Sequence, residues 1–287
     1  MKVLGIGEVV IDKTYFIPEF PTEGLKYQAT DSVTSIGGPV PAALKLLRNM
    51  GAEVTLIGSV GKDPDSIRAE AQFDEYGIDT FLVYDTSTKV NTVIVNEKNG
   101  ARTIFKDKIC NELITEIPIH FIQEADIIIF DRSEPIAFDF VLKHKRPETQ
   151  IVVDPSCEYN DKITHMMQNS TVAIFPIETV DNMSKKYNMR HNLELLYKEI
   201  GKTLIITDGG NGTYIFDGEE RIVIPSLDIV PIDTNGAGDV FRGAFAWGLL
   251  NNWETKKTVE FANKVAGLQC TKKGNLTAVP SLEEIQK

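Results

Sequence analysis

Residues 41–58 read PAALKLLRNMGAEVTLIG, a helical pattern followed by a strand pattern with the signal that separates them. Leu44, Leu47 and Met50 recur at a spacing of three and share one face, which predicts an amphipathic helix that stops at Gly51. Val54 to Gly58 then reads as a strand buried on both faces, because its apolar run is not broken by alternating polar residues. Runs of the same kind stand upstream, VLGIG at Val3, and downstream, DIIIF at Asp126, IVVD at Ile151, VAIF at Val172 and TLIIT at Thr203. Helical patterns lie between them. A β-α-β succession with right-handed crossovers predicts an α/β fold, a mostly parallel sheet flanked by helices on both sides. Its ligand site should lie beyond the carboxyl ends of the strands.

Two regions break this rhythm. Tyr27 to Ser35 and Phe81 to Phe105 are rich in Thr, Val, Ile and Tyr, and NEKNG at Asn96 to Gly100 reads as a hairpin turn. Strands that cannot join the parallel sheet form a sheet of their own, so a small β-sheet lid is expected, inserted approximately at 12–35 and 81–106. No internal repeat and no long Pro, Gly or Ser linker divides the chain, so residues 1–287 read as a single α/β domain carrying that lid.

The chain has 287 residues, 42% hydrophobic and 25% charged, enough to bury a sizeable core and unlike a disordered or fibrous sequence. Its formal charge of −11 argues against a nucleic acid or an anionic membrane held by bulk electrostatics. No apolar run approaches the roughly 20 residues that span a bilayer, and MKVLGIGEVVID meets Glu8 and Asp12 before a signal-peptide core is built. A cytoplasmic location is expected. Cys110, Cys157 and Cys270 are odd in number and lack CxxC spacing, which argues against a disulfide framework or zinc site and predicts three small buried residues.

The chemistry concentrates in Asp233-Thr234-Asn235-Gly236-Ala237-Gly238-Asp239, which runs into VFRGAFAWGLL at helical spacing. A Gly-rich turn opening a helix leaves backbone N–H groups pointing outward and makes a nest for an anion such as phosphate. Asp239, in the first turn, sets a carboxylate beside that positive pocket. There it can accept a hydroxyl proton while the nest neutralises a transferring phosphoryl group.

This heptad resembles the carboxy-terminal signature DTxGAGD of the ribokinase-like (PfkB) family of carbohydrate and nucleoside kinases, and every fixed position of that signature is matched. Further matches follow in order along nearly the whole chain: Gly7 and Asp12, Gly37-Gly38 opening a helix, Gly58, Gly61 and Asp63 in GSVGKD, Asp154-Pro155, and Thr207 to Gly212. The resemblance implies a ribokinase-like fold with a lid, ATP and Mg2+ as cofactors, and phosphorylation of a hydroxyl on a small sugar. It further implies Asp239 as general base and the N–H groups of Gly236, Ala237 and Gly238 as the anion hole. Asp12, Gly37 and Gly38 match sugar-contacting positions. Thr207, Gly209 and Gly212 match the nucleotide loop, and Asn263 matches a position near the adenine. K+ is implied near Asp233, and a homodimer through the exposed lid is compatible with the family. The style of VNEKNGARTI and GDVFRGAF resembles the sugar-kinase branch that contains ketohexokinase, which favours a ketose or a sugar acid. Arg102 and Arg132 then offer cations to an anionic group.

The sequence departs from the family at three places. Ala42 stands where GGxxxN carries an Asn, so one polar contact to the sugar is missing. The NxxE motif reads Ile177-Glu178-Thr179-Val180, leaving Glu178 as a displaced candidate to hold Mg2+ through water. DPN reads Asp154-Pro155-Ser156. These losses keep two alternatives open, a nucleoside kinase of the same family and a catalytically weak sensor of sugar or nucleotide. A nicotinamide-binding reading of Gly5-Ile6-Gly7 fails because Val10 fills the last small-residue position of GxGxxG.

Overall fold

In the computed structural model, which describes residues 1–108, 113–183 and 189–287, thirteen strands and ten helices alternate along the chain. The strands are β1 (Lys2–Ile6), β2 (Val10–Ile17), β3 (Asp31–Gly37), β4 (Glu53–Gly61), β5 (Asp79–Asp85), β6 (Lys89–Asn96) and β7 (Arg102–Lys108). There follow β8 (Ile127–Asp131), β9 (Gln150–Asp154), β10 (Ala173–Pro176), β11 (Leu204–Thr207), β12 (Thr213–Phe216) and β13 (Arg221–Ile224). The helices are α1 (Pro39–Asn49), α2 (Pro64–Glu75), α3 (Ile119–Glu124), α4 (Pro135–His144) and α5 (Asp161–Asn169). The remaining five are α6 (Ile177–Met183), α7 (Met189–Ile200), α8 (Ala237–Leu250), α9 (Thr255–Cys270) and α10 (Leu282–Gln286).

The central sheet runs β5-β4-β1-β8-β9, every pair parallel. Its apolar strands feed two cores at once. Val3, Leu56, Ile129 and Val152 pack with α1, α8 and α9 on one face, whereas Leu4, Ile6, Ile128, Phe130 and Val153 pack with α3, α4 and α5 on the other. This is why the strands read as unbroken hydrophobic runs. A second sheet, β10-β11-β12-β13, begins where the first ends: Thr171 N donates to Ile151 O beyond β9. Among the described residues no helix is long and apolar enough to cross a membrane.

The lid is a sheet of its own with order β3-β2-β6-β7. Its boundary differs from the expected one, because β5, which contains Phe81, pairs in parallel with β4 at the edge of the central sheet, and the second lid insertion begins only at Lys89. Phe16, Val93 and Val95 form the lid's small core, while Tyr15, Ile104 and Phe105 are exposed. The cysteine expectation also needs correction. Cys270 is buried but Cys157 is exposed, since it follows the turn at Ser156, whose φ of 53° carries the chain outward from the end of β9; Cys110 lies outside the described residues.

Parallel pairing brings the carboxyl ends of the strands to one edge. Asp131 closes β8, Asp154 closes β9, Glu8 follows β1 and Glu178 follows β10. These four acidic groups, of which Asp154 and Glu178 stand in motifs noted in the sequence, therefore share the edge at which an α/β sheet binds its ligand.

Candidate active site

Gly236 caps the N-terminus of helix α8, and its φ of +78° is a conformation that glycine adopts without steric cost. Ala237, Gly238 and Asp239 form the first turn, where N–H groups lack intrahelical acceptors. Ala237 N reaches back to Thr234 O at 3.4 Å, a weak bond. The helix is anchored from behind: Gly243 faces Ala43 of α1 so closely that an added Cβ would stand 3.0 Å from the Ala43 Cα. A nest on a helix held this firmly is preorganised, as stabilisation of a developing anion requires.

The Asp239 carboxyl is pushed up to about 7, first by burial and then by the charge of Asp154, against the opposing pull of Arg242 and Arg102. Arg242, one helical turn on, donates to Gly238 O at 2.9 Å and pairs with Asp154 at 3.0 Å. Sequence reading missed this buried ion pair. It ties the end of β9 to the first turn of α8.

Asp12 lies on β2 where the lid leaves the central sheet, and it is 4% exposed. Its Oδ1 accepts from Asn91 Nδ2 at 3.0 Å and its Oδ2 from Asn235 Nδ2 at 3.5 Å. Burial raises its pKa, and the amides of Asn91, Asn235 and Asn275 together with Arg102 oppose that rise. Gly37 is required beside it, since a Cβ there would stand 2.2 Å from Asp12 Oδ2. Gly38 caps α1, and its missing Cβ would lie 2.4 Å from Glu8 O. Asp12 also bears electrostatically on Asp239, so the two carboxylates belong to one site. Ala42, fully buried in α1, offers that site no polar atom.

The lid closes on the loop that precedes α8. Gly100 O accepts from Thr234 Oγ1 at 3.1 Å, and Arg102 Nη1 donates to Thr234 O at 3.0 Å. Arg102 thus stands beside the nest. Arg132 does not offer a spare charge, because it pairs with Glu158 at 2.7 Å; Lys89 likewise pairs with Glu8 at 2.8 Å.

The segment Thr207 to Gly212 is a short turn between β11 and β12, braced by Tyr214 OH donating to Asp208 and by Ser226 Oγ donating to Gly210 O. Nothing lies within 4 Å of where a Gly209 Cβ would stand, so a ligand can come close to this backbone. Asn263 is 7% exposed, and its side chain is committed within the protein: it accepts from Thr213 Oγ1 and donates to Ile224 O and Pro225 O. It fastens α9 to β12 and to the end of β13. Six residues further along α9, about 9 Å along its axis, Gln269 contacts the loop before α8. Helix α9 therefore sets the spacing between the two loops. Gly209→Val should keep the fold yet weaken ATP binding about tenfold or more, because the left-handed φ of +48° is strained for a β-branched residue and the side chain bars close approach. Calorimetric titration with ATP tests this, and unchanged affinity in a folded variant would remove the loop from the site.

No group of three or more His, Cys, Asp or Glu among the described residues holds a metal unaided. Glu178 is exposed, and after burial it is Glu178 and then Asp154 that raise the Cys157 thiol pKa, which puts both carboxylates around one stretch of the strand edge. Asp154 is taken up by Arg242, so of the two it is the exposed Glu178 that would meet, through water, an Mg2+ carried in on nucleotide phosphates. Asp233 is fully buried, its oxygens accepting from Asn235 N at 2.8 Å and Gly274 N at 2.9 Å; burial raises its pKa. The carbonyls around it are already engaged by Gln269, so the residues present do not fit a monovalent cation.

Residues 1–282 match the model of the "pfkB family carbohydrate kinase". The chain is 24% identical to ribokinase of Bacillus subtilis, over 98% of this chain and 97% of that one. It is 21% identical to deoxyribokinase of Salmonella typhi, over 100% and 98%. The solved structure of Arabidopsis thaliana ribokinase complexed with ribose and ATP superposes with a TM-score of 0.79 at 19% identity, covering 99% of this chain and 97% of that chain.

Proposed function

The chain belongs to the pfkB family of carbohydrate kinases, and from that premise we propose that it transfers the γ-phosphoryl group of ATP to a hydroxyl of a small neutral sugar of the ribose or deoxyribose type. The observation that carries this reading is a carboxyl pushed up to about 7 in the first turn of a helix whose N-terminal amides form an anion nest, electrostatically coupled to a second buried carboxylate under a lid. A base poised near neutrality is suited to taking a hydroxyl proton.

Asp12 holds the sugar by accepting hydrogen bonds from its hydroxyls, its charge steadied by Asn91 and Asn235. Asp239 accepts the proton of the attacking hydroxyl as that oxygen bonds to the γ-phosphorus and the bond to the bridging oxygen of ADP breaks. The Gly236 to Gly238 amides and Arg102 neutralise the equatorial oxygens in flight. When bound, Mg2+ supplies further charge neutralisation on the phosphates. The lid's bonds to Thr234 keep water from the phosphoryl group. Support for a neutral sugar, in place of the sugar acid that the sequence favours, comes from the pairing of Arg132 with Glu158 and Lys89 with Glu8. The ribose and deoxyribose preference over a ketose draws on the activities after which two of the relatives are called.

A coupled ADP-release screen over ribose, deoxyribose, ketoses, sugar acids, inositols and nucleosides tests the proposal. Turnover should be highest on an aldopentose, and preference for a sugar acid or a nucleoside would reject it. Asp12→Ala should raise KM for that sugar about ten- to a hundredfold, and KM for ATP by much less, since a charge-assisted contact to substrate is lost. An equal effect on both substrates would remove Asp12 from the sugar site.

A further inference from the structure

Three backbone carbonyls, those of Asn235, Asn275 and Gly274, converge on one point inside the protein. The side-chain amide nitrogen of Gln269 occupies that point, 2.9, 3.0 and 3.4 Å from them respectively. Gln269 is fully buried in the last turn of α9. Its nitrogen must face the carbonyls, because its oxygen would set a fourth acceptor against three; that oxygen is left buried without a partner. The same nitrogen lies 2.9 Å from where a Gly236 Cβ would stand, directly beneath the first residue of the anion nest. The end of α9 grips the loop at a second point, where Cys270 O accepts from Ile232 N and Asp233 N.

Buried carbonyl oxygens that point at one another repel unless something positive lies between them. The resemblance to the PfkB family supplies K+ for a place beside Asp233, but here the amide is already there. We propose that Gln269 takes the place of a monovalent cation in this chain. Its two N–H groups hold the 233–239 loop and the 274–275 backbone in register, so the anion nest is shaped without K+. Gln269 is a positioning residue, acting on substrate through Gly236. Because the donor is covalently attached, the nest does not depend on a binding equilibrium.

The experiment compares wild type, Gln269→Ala and Gln269→Met in the chlorides of tetramethylammonium, K+ and NH4+ at one ionic strength of about 0.1 M. It reads both the rate of ADP release and the thermal midpoint. Wild type should show the same rate, within about twofold, and the same midpoint in all three salts. Gln269→Ala in tetramethylammonium should lose kcat by about ten- to a hundredfold, more than it raises KM for ATP, as expected when a nest is misplaced. K+ or NH4+, small enough to enter the vacated cage, should restore most of that rate and raise the midpoint. Gln269→Met fills the same volume without a donor, so it should lose rate and gain little from either ion.

Activation of wild type several-fold by K+ would overturn the proposal. So would a Gln269→Ala rate equal to wild type in tetramethylammonium, or loss of rate that neither small ion restores. If Gln269→Ala does not fold, the wild-type salt series and Gln269→Met decide, the latter overturning the proposal if its rate equals that of wild type. The rate arm rests on the kinase reading above. The midpoint arm needs no substrate, so the two failures are distinguishable.

Discussion

Asp239→Asn should lower kcat by about 10² to 10⁴ while ATP affinity stays within a few-fold of wild type. The substitution keeps the side chain's size and its place in the first turn of α8 but removes the proton acceptor. It leaves intact the amides that receive the phosphates, so binding and chemistry separate. The wild-type pH profile carries the same assignment. Burial, and then the charge of Asp154, push the Asp239 carboxyl up to about 7. The ionised base is therefore lost as pH falls through that value, and kcat/KM should drop about tenfold per pH unit below it. Stability responds with the opposite sign. A carboxyl whose folded-state pKa is raised stabilises the fold only while it is protonated, and that contribution disappears as pH rises through about 7. Asp239→Asn never carries the buried charge, so it should melt above wild type at pH about 8, with the advantage shrinking on acidification. A variant with near-normal kcat would defeat the assignment, and one that melts below wild type at alkaline pH would contradict the burial argument.

The parallel sheet is legible in the sequence because strands covered on both faces have no reason to place polar residues in their middle, as VLGIG at Val3 and IIIF at Ile127 do not. The strand at Phe81 is not legible in the same way. DTFLVYD is half-exposed at a sheet edge, and its composition suits a lid strand as well as an edge strand. Only its pairing with β4, Phe81 opposite Ile57, decides the matter, and that is a tertiary contact. Asp239 and its glycines stand out because a Gly-rich turn feeding a helix is local chemistry written in consecutive residues. Gln269 and Arg242 do not, since a single polar residue in a helix is usually solvated. Their importance comes from partners far along the chain, Asn235 O for one and Asp154 for the other. The glutamine could not have been found without the position of the carbonyls it joins. Asn263 shows the converse, a residue whose position matched a ligand-contacting one and whose three side-chain hydrogen bonds run to groups inside the fold.

Arg242→Met should destabilise the protein by about 3–5 kcal/mol in chemical denaturation, because it strands the buried Asp154 carboxylate. Each side chain of the pair is 6% exposed, so water cannot replace the lost guanidinium. Among the described residues, the other hydrogen bond to that carboxylate comes from Ser156 N, at 2.7 Å. An isolated buried charge costs far more than a buried pair contributes, so the double variant Asp154→Asn with Arg242→Met should recover most of the loss. There is a catalytic consequence as well. Arg242 is the larger of two positive charges that restrain the Asp239 carboxyl, and without it burial and Asp154 act with less opposition. The acidic limb of kcat/KM should therefore move to higher pH in Arg242→Met and return toward wild type in the double variant, where the Asp154 charge is gone too. A loss of under about 1 kcal/mol, the range of exposed ion pairs, would show that the pair is solvated. An unmoved acidic limb would show that the Asp154 and Arg242 charges do not reach Asp239, and with it would go the account of why that carboxyl titrates near neutrality.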